Sequence, residues 1–288
     1  MHRIVNAVIL AAGFSSRFAP LSFEKPKALL EVKGQVLIER QIEQLKEAGI
    51  NDITIVVGYK KAMFEYLKDK YSVELIVNDE FSVKNNLSSI YRVKHKLRDT
   101  YICSADNYFT RNVFSENHEG AYYSAEYIQG DTEEWCMGTD INDRITEVEI
   151  GGKDAWYMIG HAYFSEEFSK AFIPIIEEEY AKEESSNLLW EHVFIKHLDS
   201  LHMKIKKYPS DIIKEFDSLE DLRSFDETYI TDTRSTIMKK LSKELNCSEK
   251  EIKNIIPTTM NGCATGFQFG VRNQEYYYDY QEQRIGER

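Results

Sequence analysis

The sequence lacks the cysteine and histidine patterns that mark disulfide frameworks and metal sites. The four cysteines are scattered and form no C-x-x-C pair: Cys103, Cys136, Cys247 and Cys263. Of the seven histidines, His192 and His197 lie five residues apart, a spacing that does not put both on one helix face. We therefore expect reduced thiols in a cytoplasmic protein, with no disulfide, zinc site or histidine metal site.

Long apolar runs, repeats and low-complexity segments are also missing. No stretch of about 18 apolar residues is present, so no membrane-spanning helix is expected. The chain passes directly into a predicted strand, Ile4–Leu10, without the pattern of a signal peptide. With 288 residues, 42% hydrophobic and 29% charged, it has enough apolar content for one large domain plus an appendage, or for two domains.

The charge is strongly negative overall but positive at the start of the chain. The formal net charge is −12, yet residues 1–33 hold five basic residues against two acidic ones: Arg3, Arg17, Lys25, Lys27 and Lys33 against Glu24 and Glu31. A small basic region in an acidic protein favours an anionic small ligand over nucleic acid, which usually requires a broad basic face.

The stretch "VILAAGFSSRFAPLSFEKPKALL" at 8–30 contains most of that positive charge. Its apolar start predicts a buried strand, and Ala11, Ala12 and Gly13 then remove nearly all side-chain bulk. Gly13 permits a positive φ, and turns of this kind present several N–H groups to one anion. Arg17, Lys25 and Lys27 follow, so the stretch predicts an anion-binding loop.

Strand and helix patterns alternate through the first half of the chain. Predicted helices at 37–48, 61–70 and 86–96 separate the apolar runs "DITIVVGY", "VELIVND" and "TYICSAD". This alternation predicts a Rossmann-like α/β fold, a mostly parallel mixed sheet with helices on both faces. Ligands of such sheets bind at the carboxyl ends of the strands, where Gly13 and Asp106 both fall.

The second half predicts antiparallel strands, two helices at 168–182 and 188–198, a late strand and a closing helix at 218–229. After about Thr231 the pattern changes to a basic amphipathic helix, a Ser248–Glu251 capping box and a hairpin turning at 272–273. We predict a catalytic domain of residues 1–230 and a small α+β C-terminal appendage of residues 231–288, without which the first domain stays active.

Two carboxylates are candidates for a metal site beside this loop. Asp106 follows a buried strand and Asp217 stands at the entry to a helix. Each has a structural explanation as well, since Asp106 suits a turn and Asp217 suits a helix cap. Mg²⁺ binds through one or two carboxylates together with substrate phosphates.

The order "LAAG…SR…P…KPKALL", "GINDITIVVGY", "ADNYF" and "EFDSLEDL" resembles the nucleotidyltransferase family of sugar-phosphate pyrophosphorylases. "KNNLSSIYRV", "EEWCM" and "LLWEHV" make it more closely similar to the bacterial CTP:phosphocholine cytidylyltransferases. The resemblance covers roughly residues 4–228. One position departs from it: Ser15 stands where the family usually has a second glycine. A positive φ there would strain serine.

The resemblance implies transfer of CMP from CTP to phosphocholine, with Mg²⁺ held by Asp106 and Asp217. Lys27, Arg17 and Asp106 would be the catalytic residues. The nucleotide would be bound by the following residues: Leu10, Ala11, Ala12, Gly13, Ser15, Arg17, Asn85, Ser88 and Asp106. Glu191 is a reserve metal or ammonium partner.

A choline head group needs aromatic faces and negative charge, because it donates no conventional hydrogen bond. Trp135 and Trp190 have acidic neighbours, and the candidate acceptor residues are Trp135, Trp190, Glu134, Glu191 and Tyr163 or Tyr157.

Other acceptors remain open at this stage: 2-aminoethylphosphonate, phosphoethanolamine or a sugar 1-phosphate. A sensor that binds nucleotide without turnover also remains open. We expect CTP and a phosphorylated amino alcohol as partners, no nucleic acid or membrane, and a monomer or homodimer.

Overall fold

The computed structural model describes residues 2–260 and 263–287. The chain divides into two compact units, one of Met1–Gly13 with Ile38–Glu215 and the other of Phe14–Leu37 with Phe216–Arg288. Each unit thus combines segments that are distant in sequence. The predicted division at residue 231 into independent domains stays a prediction.

The secondary structure elements have the following bounds. The strands are β1 (His2–Arg3), β2 (Asn6–Ala11), β3 (Glu31–Val32), β4 (Gln35–Val36), β5 (Ile53–Val57), β6 (Glu74–Val77), β7 (Thr100–Ser104), β8 (Asn107–Phe109), β9 (Asn117–His118), β10 (Tyr122–Thr139), β11 (Ile145–Phe164), β12 (Lys204–Lys207), β13 (Ile213–Glu215), β14 (Ile252–Met260), β15 (Cys263–Val271), β16 (Gln274–Asp279) and β17 (Arg284–Glu287). The α-helices are α1 (Leu21–Glu24), α2 (Leu37–Glu47), α3 (Tyr66–Tyr71), α4 (Asn86–Arg92), α5 (Glu166–Tyr180), α6 (Trp190–Lys196), α7 (Leu219–Phe225), α8 (Thr228–Thr231) and α9 (Thr236–Glu244). Short 3₁₀ turns lie at Ser16–Phe18, Lys27–Leu29, Lys61–Phe64, Lys94–Lys96, Glu183–Asn187 and Glu249–Glu251.

The first unit contains a seven-stranded mixed sheet in the order β12-β10-β11-β7-β2-β5-β6. Strand β2 pairs parallel with β5 and β7, and β5 pairs parallel with β6. Strand β11 runs antiparallel to both β7 and β10, while β12 is parallel to β10. The α/β fold class with a mostly parallel mixed sheet is therefore confirmed.

The core of this sheet is built as the apolar runs predict. Val8 and Ile9 of β2 are fully buried, and a single core cluster joins the sheet to residues of α4, α5 and α6, among them Ile90, Phe172 and Phe194. Because β2, β5 and β7 are parallel, their carboxyl ends meet at one edge of the sheet. This edge carries the residues that end β2 and Asp106, which follows β7.

The long antiparallel hairpin of β10 and β11 differs from the short separate strands that the sequence predicts. Asp131 pairs with Lys153 and Thr132 with Gly152, so the pairing continues through residues for which the sequence pattern predicts no strand. Several register shifts interrupt the ladder. Bulges of this kind break the period-2 alternation, which is why the sequence pattern missed the continuity.

The second unit contains a four-stranded antiparallel sheet in the order β14-β15-β16-β17. The predicted turn at 272–273 is confirmed, because Val271 pairs with Gln274 across it. The basic helix forms as α9, and Ser248 and Glu251 form the predicted capping box of a 3₁₀ turn. Strand β14 was not predicted, since a register shift between Lys253 and Ile256 disturbs its pattern.

Two further findings concern the absences in the sequence. Within residues 2–260 and 263–287, no helix combines the length and apolar character that a membrane span requires. Cys103, Cys136 and Cys247 are free thiols, whereas the side chain of Cys263 lies outside the described part of the chain.

Candidate active site

Backbone hydrogen bonds join the end of β2 to the ends of its neighbouring strands in the first unit. The carbonyl of Leu10 accepts from the N–H of Ala105 at 3.1 Å, and the carbonyl of Ala12 accepts from the N–H of Tyr59 at 3.0 Å. A Cβ on Gly58 would lie 2.8 Å from the carbonyl oxygen of Ala12, so only glycine fits there. The residues that end β2, β5 and β7 are thereby tied together.

The residue with a positive φ in the first loop is Ser15, not Gly13. Ser15 lies in the left-handed region at φ 52° and ψ 49°, where glycine is favoured and serine is strained by roughly 1–2 kcal/mol. Gly13 is exposed, and a Cβ placed on it would meet nothing within 4 Å. The departure from the family pattern therefore falls at the position where a glycine is most useful.

Asp106 lies half-exposed between β7 and β8. The side-chain amide of Asn107 donates to its Oδ1 at 3.1 Å. The carboxylate is thus held in place at the carboxyl end of a buried strand.

Asn85 and Ser88 have clear structural roles. Asn85 is the N-cap of α4, with its Oδ1 accepting from the N–H of Asn86 at 2.9 Å. The Ser88 hydroxyl is buried, donates to the Asn85 carbonyl at 2.7 Å and accepts from Asn78 at 2.8 Å. The structure therefore does not present Ser88 to a nucleotide, while Asn85 remains exposed.

Arg17, Lys27 and Asp217 come together within the second unit. Two nitrogens of the Arg17 guanidinium lie 2.9 Å from the two carboxylate oxygens of Asp217. The Lys27 ammonium lies 3.8 Å from Asp217 Oδ1 and is buried, in contact with the ring of Phe18. Two cations that the sequence assigns to phosphate binding thus share one carboxylate.

Asp217 is available for this pairing because other residues cap helix α7. Ser218 is the N-cap, with its hydroxyl accepting from the N–H of Asp221 at 3.2 Å, and Asp221 accepts in return from the Ser218 N–H at 2.8 Å. The capping explanation for Asp217 is therefore wrong, because Ser218 and Asp221 satisfy the helix terminus.

The chemistry of the Asp106 carboxylate suits a magnesium ion that is bound together with substrate. No group of three or more His, Cys, Asp or Glu side chains suited to a metal is found in the described ranges. Mg²⁺ needs no such cage, since it is commonly bound by one or two carboxylates, water and phosphates. Asp106 supplies hard oxygen ligands of this kind, while both oxygens of Asp217 face Arg17.

Glu191 is a buried carboxylate for which the described part of the chain supplies no cationic partner. It is only 9% exposed, and its oxygens accept from Asn86 at 3.2 Å and from the Tyr123 hydroxyl at 3.4 Å. Burial raises the pKa of Glu191 to about 7, and these weak hydrogen bonds oppose the rise only in part. Among the described residues, no cation contributes to holding this charge.

The charges of Glu191 and Asp106 both act on the pKa of Tyr123. Burial raises the pKa of Tyr123 well above its usual range, and the charges of Glu191, Glu215 and Asp106 raise it further. Burial, followed by the charges of Glu126, Glu134 and Glu215, likewise raises the pKa of Tyr157 to about 12. The first unit thus places tyrosines among several carboxylates, an environment that favours a cation.

Trp135 lies close to the same helix end. Its ring centroid is 4.9 Å from that of His192, which directly follows Glu191 in α6. Trp135 is partly exposed and Glu134 is exposed, so both have access to a ligand. Burial lowers the pKa of His192.

Trp190 and Tyr163 lie elsewhere. Trp190 is 2% exposed and packs in the core, stacked on Tyr123 with ring centroids 5.7 Å apart. Tyr163 is fully buried, and its hydroxyl donates to Asp99 at 2.6 Å. It pairs with Tyr101 near the amino end of β7, so the structure does not bring it to the edge that carries Asp106.

Asn86 and Tyr123, which hold Glu191, were missed in the sequence. Asn86 belongs to the "KNNLSS" motif, in which the sequence predicts the neighbouring Asn85 as a nucleotide-binding residue. Tyr123 is one of several aromatic residues in "AYYSAEYI", and no local pattern distinguishes it. Only the pairing of β10 with its neighbours and the packing of α4 and α6 decide which side chains face Glu191.

Comparison with known proteins gives a consistent family. The model of the MobA-like NTP transferase domain matches residues 7–119. The choline-phosphate cytidylyltransferase of Streptococcus pneumoniae is 34% identical over 223 residues, 77% of this chain and 97% of that protein. The 2-aminoethylphosphonate cytidylyltransferase of Lancefieldella rimae is 35% identical over 234 residues, 80% of this chain and 95% of that protein.

A solved structure agrees with these relatives. The CTP:phosphocholine cytidylyltransferase of Streptococcus pneumoniae superposes with a TM-score of 0.76 at 35% sequence identity, covering 79% of this chain and 99% of that one. About a fifth of the present chain therefore lies outside the match. The chain belongs to the family of cytidylyltransferases that includes the choline-phosphate and 2-aminoethylphosphonate enzymes, within the MobA-like NTP transferases.

Proposed function

We propose that this cytidylyltransferase uses phosphocholine as its acceptor. A phosphate oxygen of phosphocholine attacks the α-phosphorus of CTP in line with the bond to the β-phosphate. That bond breaks as the new P–O bond forms, giving CDP-choline and pyrophosphate. Positioning and charge neutralisation supply most of the rate in such transfers.

The buried Glu191 carboxylate, to which the described residues supply no cation, is the observation that carries this proposal. A buried charge without a cationic partner costs several kcal/mol, and natural proteins retain such groups mainly for function. A cationic head group beside Glu191 would supply the missing positive charge. A sugar 1-phosphate carries no cationic group and would leave the carboxylate uncompensated, so the site favours a phosphorylated amino alcohol.

The aromatic side chains suit a trimethylammonium group. Trp135 offers a partly exposed ring near Glu191, and a cation over such a ring gains about 0.5–2 kcal/mol. Tyr157 and Glu134 extend this acidic and aromatic environment. Trp190 supports Tyr123 from the core and does not serve as a wall of the acceptor site.

On the nucleotide side, we assign Arg17 to the β- and γ-phosphates and Lys27 to the α-phosphate and the incoming phosphate. The buried Lys27 ammonium lowers the repulsion between two anions as they converge. Mg²⁺, when bound with CTP, would be held by Asp106 and by Asp217 as the predicted second ligand, and it supplies neutralising charge to the phosphates. The Arg17–Asp217 pair keeps Arg17 in place until phosphates replace the carboxylate as its partner.

A second acceptor, 2-aminoethylphosphonate, is favoured by one specific observation. Two of the aromatic residues predicted to bind the acceptor, Trp190 and Tyr163, are buried in the core. Glu191 and Glu134 offer hydrogen-bond acceptors. A primary ammonium donates hydrogen bonds to carboxylates, whereas a trimethylammonium cannot. The relative weight of aromatic and carboxylate contacts therefore decides between the two acceptors.

Pyrophosphate release with a panel of substrates tests the proposal. CTP and UTP would each be combined with phosphocholine, phosphoethanolamine, 2-aminoethylphosphonate and glucose 1-phosphate. We expect the highest kcat/KM with CTP and phosphocholine. A higher kcat/KM with 2-aminoethylphosphonate or phosphoethanolamine would show that phosphocholine is not the preferred acceptor. A preference for glucose 1-phosphate would contradict the role assigned to Glu191.

A further inference from the structure

The loop that carries Arg17 and Lys27 packs against the C-terminal segment. Residues 14–37 and 216–288 form one compact unit, and the turn Ser16–Phe18 lies against β14 and β15. The ring of Phe23 stacks on that of Tyr280, with centroids 4.2 Å apart and planes 7° from parallel. The Tyr280 hydroxyl also donates to the Phe23 carbonyl at 3.2 Å.

Glu24, three residues before Lys27, caps helix α9 of the C-terminal segment. Its carboxylate accepts from the N–H groups of Thr236 at 2.9 Å and Ile237 at 3.0 Å. It also accepts from the hydroxyls of Ser235 and Thr236. Burial alone would raise the pKa of Glu24, but these hydrogen bonds together lower it below its usual value. A carboxylate at a helix N-terminus is further stabilised by the helix dipole.

The far end of the loop is held by the same part of the chain. The carbonyl of Glu31 accepts from the Tyr229 hydroxyl at 2.7 Å and from the Arg234 guanidinium at 3.3 Å. The N–H of Lys33 donates to Asp226 Oδ2 at 2.8 Å. Contacts at Phe23, Glu24 and Glu31 therefore flank Lys27 on both sides along the chain.

We propose that residues 231–288 hold in position the loop that carries Arg17 and Lys27. Glu24 is the positioning residue through which α9 keeps Lys27 in place. Glu24 does not touch substrate. It fixes the segment between Arg17 and Lys27, whose ammonium must lie where the two phosphates converge. A displacement of about 1 Å at such a group can cost about 10²-fold in rate. This inference rests on the proposed function of Lys27.

The test compares full-length Glu24→Gln and Glu24→Ala with a matched control, Glu251→Gln. Glu251 caps a turn of the C-terminal segment by accepting from Ser248, as Glu24 does for α9, but none of its hydrogen bonds reaches residues 14–37. We expect Glu24→Ala to lower kcat by about tenfold or more, with the KM for phosphocholine within about twofold of wild type. Glu251→Gln should keep the wild-type kcat.

Hydrogen exchange supplies a readout that does not depend on turnover. Amides of residues 14–37 should exchange faster in Glu24→Ala, whereas amides of β2, β5 and β7 should keep wild-type protection. Ser235→Ala should reproduce part of the loss in kcat, and its combination with Glu24→Ala should be no worse than Glu24→Ala alone. Such non-additivity shows that the two residues act through one contact.

Two results overturn the inference. One is wild-type kcat together with wild-type protection of residues 14–37 in Glu24→Ala. The other is an equal loss of kcat in Glu251→Gln, which would show a general effect of destabilising the segment. If wild-type protein releases no pyrophosphate with any acceptor, the proposed function fails, and the exchange experiment still decides whether Glu24 holds the loop.

Discussion

Replacing Glu191 by glutamine should stabilise the protein at high pH while impairing acceptor binding. The pKa of this carboxyl is raised from 4.5 to about 7, so the folded protein binds more protons than the unfolded chain between these values. Stability therefore falls as pH rises through this window. A pKa shift of this size lowers the free energy of unfolding of the wild-type protein by about 3 kcal/mol at pH 8 and by less than about 1 kcal/mol at pH 5.

Urea denaturation of wild type and Glu191→Gln at pH 5 and pH 8 measures this difference. The gain in the free energy of unfolding should be larger at pH 8 by about 2 kcal/mol, reduced somewhat because the amide cannot accept from both Asn86 and Tyr123. Glu184→Gln, which removes an exposed carboxylate of the same unit, is the control and should show no such pH dependence. A gain for Glu191→Gln that is the same at both pH values would refute the assignment of a raised pKa.

The same substitution should change how acceptor binding depends on pH. A protonated Glu191 does not attract a cation, so kcat/KM for phosphocholine should fall as pH drops below about 7. The acceptor phosphate itself titrates near pH 6, and that component should remain in Glu191→Gln while the component near pH 7 disappears. An unchanged pH profile in the variant would show that Glu191 does not face the acceptor.

The other predictions concern single side chains. Asp106→Asn should lower kcat by about 10²-fold or more at an unchanged urea midpoint, because a metal-holding carboxylate contributes several kcal/mol; near-normal turnover would place the metal elsewhere. Lys27→Ala should lower kcat far more than it raises the KM for CTP, and a change in KM alone would contradict its role. Trp135→Ala should raise the KM for phosphocholine and not that for CTP. Trp190→Ala should reduce the free energy of unfolding by about 3–5 kcal/mol. If Trp190→Ala instead raised the KM for phosphocholine without loss of stability, Trp190 would belong to the acceptor site.

The roles of several candidate residues depended on contacts that no local pattern contains. Trp135 and Trp190 both follow or precede acidic residues, yet one is partly exposed and the other fills the core. The difference arises because α6 packs Trp190 between Tyr123 and Phe172, whereas β10 leaves Trp135 beside His192. Neighbouring charge in sequence therefore did not predict which indole can meet a ligand.

The C-terminal segment shows the same limitation. The sequence predicted its helix, its capping box and its hairpin turn, because these depend on residues close together in the chain. It also suggested that residues 1–230 would function without the segment. That expectation stays a prediction, and the positioning role proposed for Glu24 predicts the opposite. The contacts of Glu24 with α9 and of Phe23 with Tyr280 join residues more than 200 positions apart.

By itself, the sequence determined the α/β fold class and the family, because buried strands and a small-residue turn followed by cations are local patterns. It also placed Gly13 and Asp106 just after the ends of buried strands, as β2 and β7 confirm. The tertiary structure alone decided that Glu191 meets no cation within residues 2–260 and 263–287, that Asp217 pairs with Arg17 and that Glu24 caps α9. The burial and pairing of charges depend on contacts between segments that are distant in sequence, and local sequence patterns do not contain those contacts.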